Sequence, residues 1–320
     1  MSMDMQRCAW RPNLFIVGAP KCGTTSLCTY LGRHPDVFFA RQKEPLFFCS
    51  DQSHEEPWRS RGRAEYLSLF EAGAERSWRG EGSVWYLSST VAARRIAACC
   101  PDARIIIMLR NPVDMALSLH AQFLFSGNET IRNFDAAYAA QSARRQGRDI
   151  PWRAHMPEGL LYSDVGRYAR QVERYLKTFA DGQVKVLIFE EFFGDPAQGY
   201  RELLGFLGLD QDAATAQSFK PENRRHRLRS VLLQRLLTKA PELWSVAGKL
   251  PPGRARNAAR RWLRTAASRL HDYNTNAVSS EAEGPSRADR HCRYMPDFAD
   301  DISRLEGLLN RDLSIWRQHA

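Results

Sequence analysis

Lys21 lies inside the run Gly18-Ala19-Pro20-Lys21-Cys22-Gly23-Thr24-Thr25-Ser26, whose residue types suit the holding of an anion. Gly18, Pro20 and Gly23 punctuate a turn after the apolar Leu14–Val17, and Thr24, Thr25 and Ser26 open a helix. Free N–H groups and the dipole at such a helix start favour negative charge. Gly18 and Gly23 have the spacing of a Walker A loop, G-x-x-x-x-G-K-[ST], yet position 24 is threonine and the lysine stands at 21. The usual lysine contact to the β/γ-phosphates of ATP is therefore missing. The loop is expected to take a 5′-phosphate that carries something other than a triphosphate; the alternative for Lys21 is a solvated loop lysine. A second basic element follows the apolar Arg104–Leu109: Arg110-Asn111-Pro112, with Ser118 eight residues after the arginine. A guanidinium fork suits bidentate recognition of phosphate. If Val113–Phe125 is helical, Ser118 lies on that helix within reach of the same group, with Pro112 in its first turn.

With both elements in order, each at the end of a predicted strand, the chain resembles the sulfotransferase family that uses 3′-phosphoadenosine 5′-phosphosulfate (PAPS). In that family a P-K-x-G-T-T-S/W loop holds the 5′-phosphosulfate and an R-[ND]-P-x(5)-S motif holds the 3′-phosphate. The resemblance runs from about residue 12 to 317. It implies that Lys21, Cys22, Gly23, Thr24, Thr25 and Ser26 cradle the donor and that Arg110 and Ser118 grip its 3′-phosphate. PAPS is then the donor co-substrate, adenosine 3′,5′-bisphosphate (PAP) the product, and no metal is needed.

Sulfuryl transfer needs a cation on the bridging oxygen of the leaving phosphate, a base for the acceptor proton and anchors for the nucleotide. Lys21 fits the first part. Glu44, in Gln42-Lys43-Glu44-Pro45-Leu46-Phe47-Phe48, resembles the glutamate base in the K-E-x-x-F-F segment of glycan-modifying sulfotransferases. Lys43 is expected to orient the sulfuryl group or to partner Glu44; the alternative is a surface Lys-Glu pair ahead of buried phenylalanines. His120 competes for the base role, since some branches of the family use histidine; otherwise it packs or hydrogen-bonds locally. Arg224, Arg225, Arg227 and Arg229 lie where the family closes a loop over the 3′-phosphate, with Arg229 favoured. Tyr168, in Gly166-Arg167-Tyr168, resembles a tyrosine near the adenine, where its ring would stack on the purine; a core tyrosine on an amphipathic helix is the alternative. Trp85 and Tyr86, in Gly80-Glu81-Gly82-Ser83-Val84-Trp85-Tyr86, are expected near the site. Several glycan-modifying relatives have E-K-[ST] there, and this chain departs from them with Gly82.

The elements that must position these groups follow from periodicity. Strands are expected at Leu14–Gly18, Val37–Ala40, Arg104–Leu109 and Val184–Phe189, alternating with helices at Ser26–Arg33, Ala64–Phe70, Val113–Phe125, Val165–Phe179 and Tyr200–Leu207. The fold class is α/β: a P-loop NTPase-like central parallel β-sheet flanked by helices, with a helical C-terminal part that includes Ile302–Trp316. The chain reads as one domain over residues 1–320, with variable acceptor-side segments at about 128–160 and 240–290. The first of these is either a mobile flap or an ordinary surface helix and loop.

At 320 residues the chain can bury a sizeable core. A net charge of +10 fits a handler of a phosphorylated, sulfated donor. No nucleic-acid motif is visible, and a basic stretch alone is weak support for one. No apolar stretch approaches the roughly 20 residues needed to span a bilayer, and Met1–Arg11 has no signal-peptide core. The expectation is a cytoplasmic, bacterial-type enzyme. Arg254–Arg269, with Trp262 and Leu263, is read as a solvated face or a peripheral membrane helix. Seven cysteines without C-x-x-C spacing read as reduced thiols. The expected partner is a small-molecule, lipid or glycan acceptor. The rival readings are a P-loop nucleotide-dependent kinase and a non-catalytic nucleotide- or polyanion-binding protein.

Overall fold

Leu14–Val17 and Ile105–Leu109 are buried along their whole length, because two neighbouring strands of a sheet covered on both faces have no solvent side. A computed structural model describes residues 10–51, 62–152, 154–214, 219 and 286–317 of the chain. Its sheet has five parallel strands in the order β2-β3-β1-β4-β5. These are β1 (Leu14–Gly18), β2 (Val37–Phe39), β3 (Trp78–Gly82), β4 (Arg104–Leu109) and β5 (Val184–Ile188). The helices between them are α1 (Thr24–Gly32), α2 (Arg63–Ser68), α3 (Ala92–Cys99), α4 (Pro112–Ser126), α5 (Phe134–Ala139), α6 (Gln141–Arg144), α7 (Tyr162–Gly166) and α8 (Ala169–Thr178). After β5 come α9 (Phe189–Gly194), α10 (Pro196–Phe206), α11 (Arg287–Tyr294) and α12 (Ala299–Leu309). The α/β class, the parallel sheet and the helical C-terminal part agree with the sequence reading.

Chain direction along this sheet reverses beside β1. The connection leaving β1 runs to β2 at one edge, whereas β4 leads outward to β5 at the other. A crevice opens at such a reversal beyond the carboxyl ends of the strands, and ligands of open α/β sheets bind there. The loops after β1 and β4 both start at it.

Three expectations on elements need correction. β3 and α3 were not expected, since Trp78-Arg79-Gly80-Glu81-Gly82 carries two glycines and two charges. The helix expected over Val165–Phe179 is two helices, broken at Arg167-Tyr168. The Gln171 Nε2 amide donates to the carbonyls of Asp164, Val165 and Arg167 at 3.1, 3.2 and 2.9 Å, which satisfies the end of α7. Asp301 Oδ2 accepts from Ala169 N at 3.0 Å and so closes the start of α8. The tail helix expected over Ile302–Trp316 stops at Leu309, where Asn310 takes the left-handed conformation (φ 46°) common at helix ends.

By its internal contacts the chain divides into two compact units. One comprises Met1–Ala116, Leu161–Asn223 and Pro285–Ala320 and contains the whole sheet. The other comprises Leu117–Leu160 and Arg224–Gly284. In its described part the Glu129 carboxylate, fully buried, is paired with Arg144 (Nη1–Oε2 2.8 Å, Nη2–Oε1 2.9 Å) and accepts from the backbone of Thr130 and Ile131. Arg144, inside the segment expected as a flap or a surface helix and loop, is thus an internal strut. The segments expected at 224–229 and 254–269 lie outside the described residues, as does most of 240–290. Among the described residues no helix is long and apolar enough to cross a membrane, and all six cysteines are free thiols.

Candidate active site

The loop after β1 is shaped by Gly23, which caps α1 with φ 84° and no side chain of its own. A Cβ here would meet the Phe193 ring at 2.6 Å, so the position disfavours any larger residue on two counts. Beneath the loop the Cys22 thiol is fully buried and donates to Pro20 O at 3.3 Å; burial pushes its pKa up to about 12. Cys22 is therefore an inert packing group, and its backbone is what the loop presents. Thr24 and Ser26 are buried and Thr25 half-buried at the first turn of α1. After Gly18 the loop stays tied to β4 through Ala19 N, which donates to Met108 O at 2.7 Å.

Arg110 leaves the end of β4 on the other side of the crevice. Its guanidinium lies over the Phe189 ring (4.5 Å to the centroid), and Nη1 donates weakly to Lys21 O at 3.4 Å. Its Nε is buried with no hydrogen-bond partner, an orphaned donor of the kind a bound anion satisfies. The corner is locked by Asn111. Its Oδ1 accepts from Val113 N and Asp114 N at 3.0 and 3.3 Å, capping α4, while Nδ2 donates to Trp316 O at 2.8 Å. Glu190 completes the lock: Oε1 accepts from Asn111 N at 3.0 Å and Oε2 from Trp316 Nε1 at 2.9 Å.

Lys21 is half-buried, with φ 61°. Its pKa is lowered, first by burial and then by the cationic neighbours Lys43 and Arg110; Glu44 acts in the opposite direction. Four groups singled out from the sequence (Lys21, Lys43, Glu44 and Arg110) thus share one electrostatic neighbourhood at the crevice. Glu44 is half-buried and has φ 53°, with Leu46 at φ 54° on the far side of Pro45.

Tyr168 does not offer a face for stacking. It is 1% exposed, its ring is 6.1 Å from that of Trp316, and its hydroxyl lies against the Cys22 thiol. This burial matches the core-tyrosine alternative, in which it supports the loop from below. His120 is 5% exposed, with Nε2 at 2.8 Å from Ile131 O and its ring edge-on to Phe134, which matches local packing rather than work as a base. Ser118 is half-buried on α4. Arg229, with Arg224, Arg225 and Arg227, lies outside the described residues.

One group was overlooked from sequence. Glu81, on β3, is 1% exposed, and its carboxylate accepts from three hydroxyls: Tyr66 at 2.6 Å, Ser83 at 2.6 Å and Tyr86 at 3.0 Å. Burial pushes its pKa up to about 7 against the pull of those hydrogen bonds, and the Glu44 charge adds to the rise. Among the described residues no cluster of His, Cys, Asp and Glu is arranged to hold a metal ion.

A profile of the sulfotransferase family matches residues 12–213. The chain is 33% identical to human heparan sulfate glucosamine 3-O-sulfotransferase 6 over 201 residues, 62% of this chain and 52% of that protein. It is 29% identical over 208 residues to the human bifunctional heparan sulfate N-deacetylase/N-sulfotransferase 2, covering 63% of this chain and 22% of the relative. The chain thus spans about half the length, or less, of the curated relatives it matches. A crystal structure of a sulfotransferase from Alicyclobacillus acidocaldarius aligns over 96% of this chain and 99% of its own, with a TM-score of 0.67 at 31% identity.

Proposed function

The chain belongs to the sulfotransferase family, and on that premise we propose that it transfers a sulfuryl group from PAPS to a hydroxyl or amine of a small-molecule, lipid or glycan acceptor. The observation that carries this reading is the gathering of Lys21, Lys43, Glu44 and Arg110 at the crevice where the sheet reverses direction. A cationic cluster with the Glu44 carboxylate beside it has the parts that the reaction requires. When bound, PAPS supplies the sulfuryl group and the leaving PAP.

The residues present fit that donor. The start of α1, capped by a glycine, directs free N–H groups at a 5′-phosphate. Arg110, stacked on Phe189 and with Nε unpartnered, is held ready for a second phosphate. The Lys21 ammonium donates to the oxygen on which charge grows as the sulfuryl group departs, and its lowered pKa makes it a better donor. Glu44 removes the acceptor proton. Among acceptors, the relatives named for heparan sulfate favour a glycan, although Gly82 stands where several glycan-modifying relatives carry lysine.

Calorimetric titration with PAP, with AMP and Mg-ATP as controls, tests the donor site. Binding that depends on the 3′-phosphate is expected. Preference for Mg-ATP would turn the reading to a kinase, and binding of none of them would refute a nucleotide donor. Release of PAP from PAPS, with heparan sulfate oligosaccharides and 4-nitrophenol as acceptors, then tests transfer.

A further inference from the structure

Glu81 has no opening to solvent, yet its hydrogen bonds run toward the segment that carries Glu44. A carboxylate only accepts, so Ser83 and Tyr86 must each direct their single hydroxyl proton at it. What remains on those two oxygens is lone pairs, and both are used. Leu46 N donates to Ser83 Oγ at 3.2 Å, and Phe48 N donates to Tyr86 Oη at 3.3 Å. The third hydroxyl, on Tyr66, belongs to a ring stacked on Phe47 at 4.3 Å between centroids. Three consecutive residues after Pro45 are therefore each held, through one intervening side chain, by a single buried carboxylate.

That segment needs holding. Glu44 and Leu46 are non-glycine residues with φ of 53° and 54°, conformations that L-residues leave unless their surroundings over-determine them. A neutral acceptor in place of Glu81 would leave the hydroxyl directions unset, and the two backbone N–H groups would face protons in some of the resulting arrangements. Once Glu81 is ionised, as pH rises through about 7, the negative charge fixes the polarity of the whole chain of bonds.

We propose that Glu81 is a positioning residue, which through Ser83 and Tyr86 fixes the backbone of residues 44–48 and thereby sets the Glu44 carboxylate in the Lys21 neighbourhood. The inference rests on the reading of Glu44 as the base. It assigns a catalytic consequence to a residue that touches neither donor nor acceptor.

The test is hydrogen–deuterium exchange on the full-length chain, read on peptides covering 42–50 and 18–26, in Glu81→Gln, Ser83→Ala and Tyr86→Phe. It is paired with PAP affinity and with kcat and KM for PAP release from PAPS, using heparan sulfate oligosaccharides and 4-nitrophenol. In Glu81→Gln, exchange over 42–50 is expected to quicken roughly tenfold and kcat to fall by about tenfold or more. Exchange over 18–26, PAP affinity and the donor KM should stay within about twofold, a split that general loss of structure would not give. Ser83→Ala and Tyr86→Phe should each show part of the effect, and adding Ser83→Ala to Glu81→Gln should add little. Unchanged exchange over 42–50 in all three variants overturns the inference, as does faster exchange with kcat intact. If Glu81→Gln does not fold, the two hydroxyl variants decide by the same criteria. Glu44→Gln is the control: full turnover there removes the base reading and this inference with it. A dead Glu44→Gln beside normal Glu81, Ser83 and Tyr86 variants removes this inference alone.

Discussion

Two loops come together around Lys21, and they are held by opposite means. The loop after β1 is shaped by packing: Gly23 against Phe193, the Cys22 thiol and the Tyr168 ring buried below, and an α-helix start without a side-chain cap. The Glu44 loop is shaped by polar bonds, which converge on one buried carboxylate and act on partners 37 and 38 residues away in sequence. On the proposed reading the first loop binds the donor and the second carries the base. An anion site tolerates an apolar foundation because the helix supplies the charge complement. A base has to be aimed, and hydrogen bonds carry the direction that dispersion forces lack.

Four perturbations separate the two loops, and the largest effect is expected at Glu44. Glu44→Gln should lower turnover by roughly 10²–10⁴-fold while PAP affinity is kept, read by PAP release and calorimetry. If both fall together, the loops do not divide the work. Glu81→Gln should change how stability depends on pH. The folded pKa of Glu81, at about 7, lies above its ordinary value of 4.5, so its contribution is fully present below pH 4.5 and is lost as pH rises through about 7. The variant should remove that decline, worth at most about 3 kcal/mol, in urea titrations between pH 4.5 and 8. The groups that face Glu81, namely Tyr66, Ser83, Tyr86 and Glu44, come from three segments of the chain. An unaltered slope in the variant would show that another group sets it.

Arg110→Ala should weaken PAP by roughly 10–100-fold, the range for loss of a charged hydrogen-bonding partner, and AMP far less. Equal weakening of both would misplace the 3′-phosphate site. The smallest effect is expected for Gly23→Ala, at about 1–2 kcal/mol of folding stability from the positive φ, with more if the Phe193 ring cannot yield. A urea midpoint equal to that of the unsubstituted chain would show that the loop is less tightly packed than its contacts indicate.

The same division explains what the sequence disclosed. Glycines, prolines and threonines mark a candidate phosphate loop by their own conformational preferences, so Lys21 and its neighbours stand out within nine residues. Arg110 was legible because an apolar strand ends beside it. β3 was not: Trp78-Arg79-Gly80-Glu81-Gly82 has the composition of a turn. It is a strand because a residue larger than Gly80 would run into the Phe39 ring, 2.7 Å from the position of a Cβ, and because Glu81 finds three hydroxyls from two other elements. The break between α7 and α8 depends likewise on Gln171 and on Asp301, the latter 132 residues distant, which no local pattern records. Tyr168 and His120 were eligible for the site by type, and burial gave them other work.

The Asn111–Glu190–Trp316 lock also sets a schedule. Asn111 is separated from Trp316 by 205 positions, so the corner that carries Arg110 closes only after those further residues have been made. At translation rates of 5–20 residues per second, that interval is roughly 10–40 s. The loop after β1 has its packing partners once Phe193 has been made, whereas the opposite wall waits for its clasp. On the proposed reading, a nascent chain therefore carries the first loop before its opposite wall is clasped, and competence for the donor waits for Trp316.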